Sequence, residues 1–126
     1  MSHNAIRPKL VVSDARAAID FYCKTLDAEL IESYRVDDTI AFAELEILGC
    51  SITLKDADET DSDPTAGLPG PILDVVVEDP DAMAAALVEG GAEIVFPVAD
   101  QPYGGRGGRV RDPFGVQWLL QTPMQK

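Results

Sequence analysis

Apolar residues along this chain recur with two periods, one of two residues and one of three to four. The stretch 73–77 alternates apolar and other residues and is rich in valine, which predicts a β-strand. Asp79 and Pro80 then supply a helix N-cap and a first helical residue. Apolar residues at helical spacing follow, and Gly90-Gly91 provides a residue with positive φ that ends the helix. These apolar residues are Met83, Leu87 and Val88.

The same order of elements occurs earlier in the chain. Residues 9–31 again contain a strand pattern, an aspartate, a helix pattern and then Ala-Glu followed by apolar residues. Asp14 corresponds to Asp79, and Ala28 corresponds to Ala92. Two copies of one supersecondary unit are therefore predicted.

Each copy is predicted to be a βαβββ module. Module one spans about residues 5–55, an acidic linker spans 56–69, and module two spans about 70–122. The predicted elements of module one are strands 5–12, 28–35, 38–47 and 50–55 and helix 14–26, with a core stripe of Ala15, Ala18, Ile19, Tyr22 and Leu26. Those of module two are strands 71–77, 92–98, 108–111 and 116–122 and helix 80–89.

One helix per module covers only one face of a four-stranded sheet. Pairing the two modules would remove exposed sheet edges and leave the other faces around a shared concavity. The predicted fold class is therefore α+β, a single domain over residues 1–126. In it, two paired βαβββ modules form a curved mixed sheet around a central cleft, with the helices on the outer face.

Composition and charge exclude several classes of function. The chain of 126 residues has a net charge of −12, which disfavours nucleic acid and anionic membranes as partners. No apolar run reaches the roughly 18 residues that a membrane helix needs, and no secretory signal is recognisable. Cys23 and Cys50 form no metal or redox motif, which predicts reduced thiols in a cytoplasmic protein.

Three motifs carry a family resemblance. They are the helix entry D-A-x-x-A-x-x-F-Y at 14–22, the DPFG turn at 112–115, and the loop Tyr103-Gly104-Gly105-Arg106. Together with the repeat, they resemble the vicinal oxygen chelate superfamily over about residues 6–122. That superfamily includes glyoxalase I, extradiol dioxygenases and bleomycin-resistance proteins. The loop is similar to that of an uncharacterised glyoxalase-like branch.

The resemblance also implies where a metal would be held. Metal-using members place four ligands, usually His, Glu or Gln, at positions that correspond here to Arg7, Thr53, Ile72 and Leu119. Arg, Ile and Leu do not ligate a divalent ion, and Thr is a poor ligand. We therefore expect no metal and no other cofactor, and His3, near the terminus, adds no ligand. A shifted alignment would offer Glu44, Glu46, Asp74 or Gln117 instead.

Strand alternation assigns other side chains to the cleft. The predicted ligand-binding residues, including two from the loop 99–108, are Arg7, Lys9, Phe42, Glu44, Thr53, Asp74, Tyr103, Arg106, Gln117 and Leu119. Ser51 and Lys55 share the cleft side of their strand, whereas strand 38–47 leaves its two faces ambiguous. Two alternatives stay open: charged pairs such as Arg7–Glu44 merely stabilise the sheet, or Arg106 pairs with a surface acid.

The expected function is small-molecule binding, as in the bleomycin-resistance proteins that the chain resembles, by metal-free sequestration of a ligand or antibiotic. The alternative is an enzyme of glyoxalase, isomerase or dioxygenase type. It would use a metal or a carboxylate base, for which Glu44 and Asp74 are the candidates. A third possibility is a structural dimer with a vestigial cleft. A homodimer is expected, either with modules paired within one chain or exchanged between chains.

Overall fold

The computed structural model describes residues 5–59, 61 and 71–123. In chain order its elements are β1 (Lys9–Val12), α1 (Ala15–Leu26), β2 (Glu29–Val36), β3 (Thr39–Ile47), β4 (Cys50–Asp56), β5 (Ile72–Val76), α2 (Pro80–Glu89), β6 (Glu93–Asp100), β7 (Arg106–Arg111) and β8 (Gln117–Gln121). The chain divides into two compact units, Met1–Asp63 and Pro64–Lys126.

The two units share one topology. The first contains a four-stranded sheet in the order β1-β4-β3-β2, and the second a four-stranded sheet in the order β5-β8-β7-β6. In each sheet the first strand of the unit runs parallel to the last, and the other pairs are antiparallel. The predicted α+β fold class with two βαβββ modules is confirmed.

Both helices begin and end as the sequence pattern predicts. The Asp14 carboxylate accepts a hydrogen bond from the N–H of Ala17 at 3.1 Å, and Asp79 accepts one from Ala82 at 3.0 Å. A residue with positive φ follows each helix: Asp27 at 53° and Gly91 at 121°. In both units the residue with positive φ turns the chain out of the helix and toward the next strand.

In the first unit the core lies between α1 and one face of the sheet. The predicted stripe of α1 is buried, and Phe21 is buried beside it. Strand β3, ambiguous in sequence, turns Ala43, Leu45 and Ile47 to this core. A register shift between β2 and β3 near residue 41 interrupts the alternation, so Ile40 is buried too.

The core of the second unit lies between α2 and the sheet. Leu87 of α2 and Leu120 of β8 are fully buried, and Val110 of β7 and Trp118 of β8 are each only 1% exposed. Val88, which its spacing predicts on the same helix face as Leu87, is exposed. It borders a shallow apolar depression beside β6, because the helix turns only its Leu87 side toward the sheet centre.

Several strand bounds differ from prediction. Strand β1 begins at Lys9, and residues 5–8 are irregular, although the Pro8 carbonyl still accepts the N–H of Thr53 at 2.9 Å. The predicted loop 99–108 shortens to 101–105, because Arg106 to Gly108 belong to β7. A Cβ on Gly108 would lie 2.7 Å from the Val98 nitrogen, so this glycine permits close strand approach.

Asp56 joins three elements of the first unit. Its carboxylate accepts the N–H of Ala15 in the first turn of α1 at 2.7 Å and the N–H of Ile40 in β3 at 2.8 Å. The residue itself is the last of β4. The acidic segment that follows is described at residues 57–59 and 61, and the rest of the predicted linker, residues 60 and 62–69, lies outside the described residues.

Candidate functional site

In the first unit, polar side chains occupy the sheet face that points away from α1. Lys9, Thr53, Glu44 and Glu32 pair across the four strands in one row, so their side chains share this face. Thr53 is only 6% exposed, and its hydroxyl donates to the Pro8 carbonyl at 3.4 Å. The sequence-based assignment of Lys9, Glu44 and Thr53 to one face agrees with this register.

Glu44 is the centre of a small polar cluster. The Arg7 guanidinium lies 3.6 Å from its carboxylate, and the Ser51 hydroxyl donates to it at 2.5 Å. Arg7 also lies over the ring of Phe42, 5.9 Å from its centroid. The Arg7–Glu44 pair considered from sequence is thus present. The Arg7 and Ser51 contacts are both made to the same carboxylate oxygen, Oε2.

A second cluster surrounds Lys55, whose side chain is only 10% exposed. Its ammonium group lies 2.8 Å from both Asp58 and Asp61, and Lys9 lies 3.3 Å from Asp61. Hydrogen bonds from Lys55 and then Lys9 hold the pKa of Asp61 below its ordinary value. Hydrogen bonds to Asp58 and Asp61 raise the pKa of Lys55. The acidic segment after β4 therefore neutralises a lysine that the sequence assigned to this face without a partner.

In the second unit, the sheet face opposite α2 is also polar. Asp74, Leu119, Arg109 and Phe96 pair across the four strands in one row. Asp74 is exposed and accepts a hydrogen bond from the amide of Gln121 at 2.5 Å. Asp74 as a base would therefore already have one hydrogen-bond donor on its carboxylate.

Arg109 is a residue of this face that sequence reasoning did not select. It is half-buried, and its guanidinium lies over the ring of Phe96, 5.4 Å from the centroid. Its Nη1 donates to the Gln117 side-chain oxygen at 3.4 Å, and Gln117 is 4% exposed. The sequence pattern does indicate the face on which Arg109 lies, because strand alternation around the buried Val110 places Arg109 and Arg111 on the opposite face.

The two predicted loop residues lie in different surroundings. Arg106 is bound by Asp81 at 2.7 and 2.9 Å and by Asp100 at 3.2 Å, which is the surface pairing left open from sequence. This guanidinium lowers the pKa of Asp81, and the two carboxylates raise the pKa of Arg106. Tyr103 is exposed, with its hydroxyl above Gly107 of β7.

None of the four positions that correspond to the family's metal ligands holds a His, Glu or Gln side chain. Arg7 binds Glu44, Thr53 bonds to Pro8, Ile72 is exposed, and Leu119 lies between Asp74 and Arg109 in the sheet. Across residues 5–59, 61 and 71–123, no three His, Cys, Asp or Glu side chains are grouped so as to hold an ion. The donor set therefore does not fit a divalent metal.

The other sequence-based alternatives are placed as follows. Glu46 is exposed on β3, and His3 lies outside the described residues.

Among the helices described, neither is long and apolar enough to cross a membrane.

A family model and one of the similar solved structures carry the same family description. A model described as "Glyoxalase/Bleomycin resistance protein/Dioxygenase superfamily" matches residues 3–120. An uncharacterised protein of Mycobacterium bovis is 37% identical over 131 residues, covering 97% of this chain and 85% of that protein. The crystal structure of TioX from Micromonospora sp. ML1 is similar with a TM-score of 0.73 at 25% identity, covering 98% of both chains. A glyoxalase/bleomycin resistance protein/dioxygenase from Nocardioides has a TM-score of 0.68 at 26% identity, covering 99% of this chain and 87% of that one.

Proposed function

Because the chain belongs to the glyoxalase/bleomycin resistance protein/dioxygenase superfamily, we propose that it binds and sequesters a small organic molecule without using a metal. One observation carries the proposal: the sheet face away from the helix in each unit holds buried polar side chains among charged ones. These buried side chains are Thr53, Lys55 and Gln117. Polar groups placed this way in a partly apolar setting are typical of sites for organic ligands.

The metal-free part of the proposal is supported by side-chain chemistry. An arginine, a threonine, an isoleucine and a leucine stand where metal-using relatives carry ligands. Basic side chains also lie near these positions, although Glu44 pairs with Arg7 and Asp61 pairs with Lys9. Arg7 and Lys9 lie on or next to β1, and Arg109 lies beside Leu119.

Metal content and ligand-induced stabilisation test the proposal together. We expect protein purified without chelator or metal-affinity tag to contain no stoichiometric Zn, Ni, Mn or Fe by plasma mass spectrometry. We also expect some members of a panel of aromatic, anionic and cationic small molecules to raise the melting temperature, because binding to the native state alone raises stability. A stoichiometric metal, or turnover of glyoxalase or dioxygenase substrates, would favour the enzymatic alternative.

We further propose that the protein forms a homodimer. Strand β2 is a terminal strand of its sheet, and large apolar side chains are exposed along it. These are Leu30, Ile31, Tyr34 and Val36. Exposed apolar side chains in such number favour a protein contact. Light scattering at micromolar concentration should give twice the chain mass, and a monomer there would contradict the proposal.

A reducing compartment such as the cytoplasm suits the two free thiols, Cys23 and Cys50. Burial first, and Asp20 second, raises the pKa of Cys23, which keeps that thiol protonated and slow to oxidise. Localisation of a tagged chain in its native host checks this part of the proposal.

A further inference from the structure

Strand β7 carries three arginines, and they differ in their partners. Arg106 binds Asp81 and Asp100, and Arg111 binds Glu93 at 3.0 Å. Arg109 lies between them and forms no ion pair with a carboxylate of the described residues. Its surroundings therefore need a separate explanation.

The lack of a carboxylate partner at Arg109 is unexpected in a chain with so many acidic residues. The chain has 22 acidic and 10 Lys and Arg residues, so carboxylates are abundant. Arg16 and Arg35 also lack a carboxylate within ion-pair distance among the described residues, but both are exposed and hydrated by solvent. Arg109 is half-buried, and burying a charge without a counterion is costly.

The hydrogen bonds of Arg109 are also incomplete. Among the residues described, its Nε is the buried side-chain nitrogen or oxygen that has no hydrogen-bond partner. A guanidinium has five N–H donors. Its hydrogen bond to the Gln117 oxygen, at 3.4 Å, is long. An unmade hydrogen bond from a buried donor is unfavourable, so the site favours an added acceptor.

The neighbours hold this guanidinium in place but do not neutralise it. The guanidinium carbon lies over the Phe96 ring, 5.4 Å from the ring centroid, and Leu119 is the apolar neighbour on β8. Asp74 is the acid of the same row, but Leu119 separates it from Arg109 by two strand spacings, about 10 Å. The Arg109 guanidinium is therefore surrounded by an aromatic ring, an aliphatic side chain and a neutral amide that accepts one hydrogen bond. None of these neighbours carries a negative charge.

We propose that Arg109, with Gln117 and Phe96 beside it, binds the carboxylate of an organic acid. A planar guanidinium matches a carboxylate with two parallel N–H···O bonds, and such bonds are shorter and stronger than neutral ones. Turning the guanidinium against the Phe96 ring presents Nε and one Nη to the anion, and the Gln117 amide can donate to it as well. This inference rests on the proposed small-molecule binding and specifies its ligand class.

The test uses benzoate as the probe and two matched variants. Arg109→Gln and Arg111→Gln remove the same charge, two residues apart on the same face of β7, but only the second arginine has a carboxylate partner. The full chain is labelled with ¹⁵N-arginine, and the side-chain Nε–H signals are followed during titration. Benzamide, which has the same shape without the charge, and inorganic phosphate are the comparison ligands.

We expect saturable benzoate binding that shifts the Arg109 Nε signal. Arg109→Gln should weaken the binding about tenfold or more, the range for loss of a charged hydrogen-bonded pair. Arg111→Gln should change it less than about twofold, because its partner Glu93 lies outside the proposed contact. If Arg109→Gln does not fold, Arg109→Lys is the second test. This variant keeps the positive charge but lacks the planar guanidinium, and it should bind benzoate more weakly than wild type does.

Four results would overturn the inference. They are no benzoate-induced shift of the Arg109 signal, equal binding by Arg109→Gln, equal loss in Arg111→Gln, and equal affinity for benzamide or phosphate. The same experiment distinguishes failure of this carboxylate site from failure of the proposed small-molecule binding. An uncharged or cationic compound that stabilises wild type and Arg109→Gln equally would leave small-molecule binding standing while the carboxylate site fails.

Discussion

The carboxylate of Asp112 accepts a hydrogen bond from the indole Nε1 of Trp118 at 2.9 Å, and both side chains are buried. The same carboxylate accepts the backbone N–H groups of Phe114 at 2.9 Å and Val116 at 3.1 Å. Gly115 closes the turn with an N–H bond to the Asp112 carbonyl at 3.0 Å. One acidic side chain thus shapes the β7–β8 turn and orients the largest residue of the second core.

We expect Asp112→Ala to destabilise the protein by about 3 kcal/mol, because it leaves three donors, two of them buried, without this acceptor. Denaturant unfolding gives the free energy. Trp118→Phe removes only the indole donor and should cost less, about 1 kcal/mol beyond the lost volume. A double-mutant cycle should show coupling between the two sites. Fully additive effects would contradict the role given to this hydrogen bond.

Asp56 should matter more to stability than the helix cap beside it. Asp56→Ala leaves the N–H groups of Ala15 and Ile40 without acceptors, and we expect a loss of about 3 kcal/mol. Asp14→Ala removes a single capping bond and should cost about 1 kcal/mol. Urea unfolding of both variants measures the ratio. Equal losses would show that Asp56 acts only as another cap.

Gly105, in the segment that joins β6 to β7, and Gly108, in β7, should respond differently to a methyl group. Gly108→Ala would place its Cβ 2.7 Å from the Val98 nitrogen and 2.8 Å from the Phe96 oxygen, both backbone atoms that yield only if the strand moves. We expect it to cost more than about 2 kcal/mol. In Gly105→Ala the nearest atom is the Thr122 hydroxyl at 3.3 Å, and the cost should stay below about 1 kcal/mol. Thermal melts rank the two variants, and a better-tolerated Gly108→Ala would refute the close approach.

The ion pairs of Lys55 predict a pH dependence. The folded state holds the Asp61 pKa below its unfolded value of about 3.9, so its stabilisation is present above that pH and is lost as the pH falls through the folded pKa. The stability difference between wild type and Asp61→Asn should therefore shrink between pH 6 and about pH 2.5. Lys55 has the opposite sign: its raised pKa gives stabilisation that is lost as the pH rises above about 10.4.

Glu59→Gln is the control for this effect. Glu59 is exposed in the same acidic segment. Melting temperatures of the three proteins across the acid range should show a pH-dependent difference for Asp61→Asn and a nearly constant one for Glu59→Gln. Parallel curves for both variants would mean that the Lys55 cluster does not contribute to stability.

The fold was largely predictable because its determinants are local. Asp14 and Asp79 cap helices through bonds to residues three positions away, and strand alternation around residues such as Leu54 and Trp118 needs no knowledge of distant partners. The errors occur where a distant element decides. Val88 was predicted on the same helix face as Leu87, and helical period alone does not say which edge of that face the sheet leaves open.

The candidate site was less predictable, since ion pairing joins residues far apart in sequence. Arg106 was selected for its glycine-rich loop, yet its partner Asp81 belongs to α2. The burial of Lys55 depends on two aspartates from a segment with no apolar pattern. Arg109 had a sequence signal in its alternation with Val110. Its missing counterion became visible only when the partners of its two neighbours were known.

The terminal strands β2 and β6 each contain two register shifts against their neighbour, and β6 also contains Pro97. A regular terminal strand offers a straight row of hydrogen-bonding groups on which another molecule's strand can grow. Shifts bend that row, and a proline removes one of its donors. The irregularity that interrupts the alternation at Ile40 therefore also opposes the addition of another molecule's strand at β2, and those of β6 do the same at that edge.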